Sequence, residues 1–233
     1  MRNETKGYFL KEYGSWSVLT VAFITGLAVS GEFTWKAIPV FLSLVLLVNS
    51  KQAFMKWSRR PEERTSLEIF FVQVVIATII LLAIFGRNVP LLLPLLVFPA
   101  AYLLSNKLGG EHFIITELLG FALLSLAAVL AKFLIVEGVD VRLFVAVALY
   151  FTAGVFKVKV LLLKKTRDRV LTALYVVFVA YAYHRFHLAL ILLLPLADNL
   201  IVAATLYKVK LQTTGWIEVA KSLLFLGLMI AYF

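Results

Sequence analysis

The chain has no cysteine, which excludes disulfides and thiolate metal sites. Charge is also scarce, at 15% of 233 residues, and acidic side chains most of all, with 13 Asp and Glu against 23 Lys and Arg. Apolar residues make up 62% and the mean hydropathy is +0.96. A water-soluble fold of that composition would expose large apolar patches, so hydrocarbon is the medium it suits. No glycine-rich phosphate loop, paired-histidine zinc helix or Ser-His-Asp elbow is present, so no catalytic motif marks an enzyme and no metal or cofactor is implied. Apolar runs are continuous instead of alternating, which argues against a transmembrane barrel. No low-complexity stretch or soluble domain interrupts them.

What is present is a net charge of +10 in a chain that must crowd it into loops. There it can meet anionic lipid headgroups or attract an anionic small molecule, and nucleic acid need not be invoked. The first apolar stretch follows Arg2, Lys6 and Lys11 but precedes no small-residue cleavage site, so a retained span is expected and not a signal peptide.

Breaking the chain where charge, Gly and Pro cluster leaves nine apolar segments: Ser15 to Ser30, Trp35 to Asn49, Leu67 to Phe85, Leu91 to Leu104, Phe113 to Val136, Leu143 to Val158, Val170 to Tyr183, Leu188 to Leu206 and Trp216 to Phe233. The expected fold is all-α, a polytopic transmembrane helical bundle of about nine spans forming a single membrane domain over residues 1–233. The fourth segment is short and carries Pro94 and Pro99, which leaves a re-entrant hairpin open. With nine crossings the N-terminal side collects seventeen Lys and Arg against four on the other. If the fourth failed to cross, that imbalance would vanish. The positive-inside rule therefore predicts nine crossings in a cell membrane, with the N-terminus cytoplasmic.

Two basic loops, 51–64 and 157–169, follow the second and sixth segments. Glu12 before Trp16, Glu117, and Glu218 beside Trp216 recur at intervals of 105 and 101 residues. The spacing suggests an internal duplication.

Ionisable groups inside such segments are costly, at least ~2.5 to 3.5 kcal/mol each on insertion scales, unless paired or wetted. Glu117, Glu218, Lys132, Lys221, Asp198, Asn199, Asn49 and Gln73 are therefore expected to face the bundle interior. Glu218 and Lys221 share a helix face and can neutralise each other. Glu117 has no partner at helical spacing, so its counter-charge must come from another helix. Asp198 and Asn199 follow Pro195, where a kink is preferred over a site. His184 and His187 flank Arg185 and read as an interfacial pair before a metal site. Trp16, Trp35, Trp57 and Trp216 lie near segment ends, as an interfacial belt would place them.

The two basic loops allow a sharper reading beside plain topogenic charge: guanidinium and ammonium groups over a cytoplasm-facing cavity would suit an anionic or lipidic ligand. The candidate ligand-binding set is Glu12, Trp16, Arg59, Arg60, Glu117, Lys157, Lys159 and Glu218. Membrane lipids are the other partner expected.

Glu12-Tyr-Gly-Ser-Trp16 resembles the Glu-His-Gly-Ala-Trp opening of the YwiC-like membrane proteins, Glu117-Leu-Leu-Gly120 their mid-chain Glu-Leu-x-Gly, and Lys157-Val-Lys159 their basic run. Thr214-Gly-Trp-Ile-Glu218 is similar to their closing Ile-Gly-x-x-Glu. Tyr13 departs from the family's histidine. The resemblance implies an architecture and no assigned reaction. Nine helices with loops after the second and sixth also resemble the intramembrane prenyltransferase superfamily at the level of fold. That likeness implies a lipid-modifying transferase as an alternative, but Asn49 to Gln52 and Lys157 to Lys159 stand where those enzymes carry metal-binding aspartates. A non-catalytic subunit of a membrane complex is a further alternative.

Overall fold

The computed structural model describes residues 10, 12–60, 62–110, 112–206 and 211–233. Arg2, Lys6, Lys11, Lys208 and Lys210, which entered the charge asymmetry, lie outside them. Every regular element among the described residues is helical: α1 Tyr13–Ser30, α2 Ala37–Arg59, α3 Arg64–Phe85, α4 Val89–Leu92, α5 Val97–Gly109, α6 Ile114–Val136, α7 Val141–Leu163, α8 Thr166–Arg185, α9 Ala197–Thr205 and α10 Leu211–Tyr232, with 3₁₀ turns at Gly86–Asn88, Leu93–Leu96 and Leu190–Leu196. Each of the nine apolar segments therefore holds helix.

Six stretches among the described residues are long and apolar enough to cross a membrane: α1, α2, Arg64–Gly109, α6, α7 and Thr213–Tyr232. This is fewer than nine for two physical reasons. The third and fourth segments join into one helical run of 46 residues, which would measure about 69 Å if straight, over twice the ~30 Å hydrocarbon thickness. It cannot be straight, because Gly86 has φ +49°, a conformation in which glycine carries no Cβ penalty. The helix that holds the seventh segment, α8, is diluted by Arg167, Asp168, Arg169 and Arg185 at its ends, and the eighth segment spends seven residues in 3₁₀ geometry before α9 begins. Pro195 lies within that turn, where its missing N–H removes a helical donor.

The chain divides into two compact units, one from the described residues of 1–14 and 33–93, the other from 15–32 and 94–233. In the first unit α2 and α3 form a helical hairpin. Phe54 meets Phe70 at 5.4 Å and Trp57 at 5.9 Å between ring centroids near its connecting loop. The Leu10 N–H donates to buried Asn49 at 3.0 Å.

In the second unit α7 is the central element, touching α6, α8 and α9. Its buried residues include Leu143, Ala146, Val147, Tyr150 and Ala153. The Tyr183 hydroxyl reaches across from α8 to donate to the Ala146 carbonyl at 2.6 Å, and Arg169 donates to the last-turn carbonyls of α9, Ala203 at 2.5 Å and Ala204 at 2.8 Å. Gly26 of α1 lies so close to α6 that a Cβ there would stand 2.1 Å from the Ala128 carbonyl oxygen. Small residues permit such backbone approach between membrane helices.

Candidate functional site

Residues 150, 153 and 157 of α7 fall at helical spacings of three and four, so they share one face. That face carries Tyr150, Ala153 and Lys157, all buried. Opposite it, α10 presents Glu218, Lys221, Ser222 and Phe225 at the same spacings, and α9 offers Asp198 and Asn199 in its first turn.

These side chains make one connected ionic network. The Lys157 side chain, 2% exposed, donates to Asp198 Oδ2 at 2.5 Å and also to Glu218 Oε1. Lys221 Nζ lies 3.2 Å from Asp198 and 3.1 Å from Glu218, and donates to Asn199 Oδ1 at 2.6 Å. The Asn199 amide donates in turn to the Ala153 carbonyl at 3.1 Å. Two lysines and two carboxylates cancel formally, which is how charge is tolerated in a low-dielectric interior. Asp198 occupies the first turn of α9, where the helix dipole favours an anion. Burial is lopsided: Lys157 and Lys221 are enclosed, whereas the Glu218 side chain is 41% exposed. On one side the Tyr150 ring stacks on Phe225 at 3.8 Å with parallel planes, and the Tyr150 hydroxyl hydrogen-bonds Ser222.

Lys159, two residues beyond Lys157, points elsewhere because positions i and i+2 do not share a helix face. Its Nζ lies 2.8 Å from Glu117 Oε2 on α6, and exposed His112 Nδ1 is 4.0 Å from the other Glu117 oxygen. The counter-charge of Glu117 thus does come from another helix. The candidate residues divide accordingly: Lys157 joins Glu218, Lys159 joins Glu117, and Trp16 lies half-buried in the first turn of α1. Glu12 belongs to the first unit, where it accepts from Lys51 at 3.2 Å. Arg59 and Arg60 are exposed at the end of α2, the Arg60 N–H closing that helix on the Lys56 and Trp57 carbonyls.

The Glu218 and Lys221 pair expected from their spacing is present at 3.1 Å, and the structure joins to it Asp198 and Asn199, for which a kink after Pro195 is the preferred sequence reading, through contacts to Lys157 and Lys221. A signal for them exists. Leu-Leu-Leu-Pro-Leu occurs at 91–95 and again at 192–196, so Pro94 and Pro195 stand 101 residues apart, the interval that separates Glu117 from Glu218. Both prolines lie in 3₁₀ turns that lead into a helix. Among the described residues no three His, Asp or Glu side chains gather as a metal ion would require.

A scan against family models matches residues 10–132 to that of the YwiC-like proteins. The match includes Glu12, Trp16, Arg59, Arg60 and Glu117 and stops before Lys157. No curated protein and no solved structure matches the chain. More than half of the sequence follows the family pattern in a multi-helix membrane protein, and the chain belongs to the YwiC-like family.

Proposed function

We propose that this protein crosses the cell membrane nine times from a cytoplasmic N-terminus, and that its ionic network binds an anionic or lipidic ligand in a proton-linked manner, for transport or sensing. The topology rests on the loop charges. An internal duplication with an offset of 101 residues fits it, because α2, α3 and α6, of 23, 22 and 23 residues, correspond in order to α7, α8 and α10, of 23, 20 and 22.

The observation that carries the functional reading is the lopsided burial of the network. Lys157 is almost wholly enclosed and held by two carboxylates, one of which, Glu218, is 41% exposed. With both carboxylates ionised the network is neutral and has no use for an anion. An anion that displaces the exposed carboxylate from Lys157 would leave the network with one surplus negative charge, which uptake of one proton would balance. Anion and proton then bind together, each favouring the other by the same free energy.

The test is calorimetric titration of succinate into the full chain in nanodiscs, in two buffers of different ionisation heat. Uptake of about one proton per anion and tighter binding at lower pH are expected, both abolished in Lys157→Gln. Binding that ignores pH, or that survives Lys157→Gln unchanged, overturns the proposal. The transferase alternative ranks lower, since Asn49, at the place of one aspartate motif, is already committed to the Leu10 N–H.

A further inference from the structure

At the opposite end of α7 from Lys157, a cavity of about 370 Å³ is lined by Arg142, Arg185, Phe186 and His187, within the size range of small-molecule sites. Fifteen residues separate Arg142 from Lys157, about 22 Å along the helix axis. Among the described residues no carboxylate lines this cavity. The nearest in sequence, Asp140, is engaged by Lys132 Nζ at 2.7 Å and by the Leu143 N–H at 2.9 Å. Neither Arg142 nor Arg185 makes an ion pair among the described residues.

The wall opposite Arg142 is held in place by Arg142 itself. α8 ends with the His187 N–H on the His184 carbonyl at 3.1 Å and the Leu188 N–H on the Tyr183 carbonyl at 2.8 Å, a Schellman closure whose left-handed position usually takes glycine. His187 fills it at φ +55°. Glu137, Lys164 and Leu206 adopt similar angles, so the angle alone carries nothing. What separates His187 is that an Arg142 guanidinium nitrogen donates to its carbonyl at 3.0 Å. One guanidinium thus fixes the turn that carries the imidazole and, next to it, Arg185. Its remaining donors, those of Arg185 and an imidazole N–H suit tetrahedral oxygens. Three residues further on, Leu190 and Ile191 are exposed apolar side chains, a surface on which an acyl chain can lie.

We infer that this cavity is a second anion site, distinct from the Lys157 network, which takes a phosphate-type oxyanion through Arg142, Arg185 and His187. The phosphate comes either from a lipid headgroup or free from solution. The inference does not depend on the proton-linked reading of the network, and testing it in a Lys157→Gln background removes that site from the measurement.

The full chain is placed in zwitterionic nanodiscs and titrated with inorganic phosphate. In a parallel arm it is extracted from phosphatidylglycerol-containing vesicles and retained lipid is counted by native mass spectrometry. Binding in either arm is expected, with Arg142→Gln and Arg185→Gln each weakening it about tenfold, the loss of one charge-assisted contact, and with Lys36→Gln leaving it unchanged. Phosphate binding without lipid retention assigns the site to a soluble anion, and the reverse assigns it to a headgroup. Arg142→Gln loosens the His187 turn as well, so Arg185→Gln, which breaks no hydrogen bond among the described residues, decides. No binding in either arm, or binding unaffected by Arg185→Gln, overturns the inference.

Discussion

Replacing Lys157 with methionine keeps the length and apolar stem of the side chain and removes one charge from the network. Two carboxylates are then left with one lysine, Lys221, which already lies 3.2 Å from Asp198 and 3.1 Å from Glu218. Because Lys157 is 2% exposed, water cannot take its place, and losing one partner of a buried pair costs about 3 kcal/mol or more. Glu218→Gln should be milder, about 1 kcal/mol, since its side chain is 41% exposed and Lys157 keeps Asp198. The double variant restores neutrality, leaving Lys221 against Asp198. It should therefore lose less than the sum of the two, by about 1 to 2 kcal/mol of coupling. Reversible unfolding in bicelles or mixed micelles, run as a double-mutant cycle, measures all three. A Lys157→Met cost below about 1 kcal/mol, or additivity within about 0.3 kcal/mol, would refute the view that the network is a dry, charge-balanced unit.

Gly26→Ala should destabilise by about 1 to 3 kcal/mol, because its Cβ would meet the Ala128 carbonyl oxygen at 2.1 Å; a melting shift indistinguishable from that of Gly14→Ala, where nothing lies within 4 Å, would count against that packing. At Asp140, burial pushes the carboxyl pKa up but is outweighed by the Lys132 ammonium and the Leu143 and Arg142 N–H groups, so it lies below its usual value. The resulting stability is present above the unfolded carboxyl pKa, near pH 4, and fades as pH falls through the lower folded value. Asp140→Asn should flatten that acid limb, and Asp140→Ala, which also removes the α7 N-cap, should cost a further ~1 kcal/mol, both read from unfolding between pH 3 and 7. Tags on the two chain ends should be reached by impermeant reagents from opposite sides of the membrane; reaction from one side alone would rule out an odd number of crossings.

The helical class and the existence of all nine segments were legible because apolar runs bounded by charge leave little else for hydrocarbon to accept. Element lengths were less so: the sequence breaks at Gly86 and Arg87, yet helix resumes beyond them to make one run of 46 residues, and seven residues of the eighth segment, Pro195 among them, take 3₁₀ geometry. At the site, the Glu218 and Lys221 pairing followed from spacing along one helix. The division of Lys157 from Lys159 followed in principle from their i, i+2 relation, but which helix each would face depends on packing that no local pattern encodes. Asp198 was masked by its own neighbour: a proline before a short polar pair reads as a kink, and the 3₁₀ turn that proline permits is what aims Asp198 and Asn199 at α7 and α10.

The proposed offset of 101 residues bears on why the network is polar at all. It sets Lys157 and Glu218 against Lys56 and Glu117, which are again basic and acidic. The other three members have no such counterparts, for Asp198, Asn199 and Lys221 fall opposite Val97, Phe98 and Gly120. If the first half builds its corresponding helices with apolar or absent side chains at those three places, the helices themselves do not require polarity there. Burying Asp198, Asn199 and Lys221 adds desolvation that a Val, Phe and Gly would avoid, and a tighter apolar contact would serve stability at least as well. The ligand binding proposed for the network would account for their presence. Replacing Asp198, Asn199 and Lys221 together by Leu, Leu and Met, apolar residues of similar volume, removes one charge of each sign and should leave unfolding stability within about 2 kcal/mol of the parent, while proton-linked succinate binding disappears. Loss of folding in that triple variant would instead assign the network to the architecture.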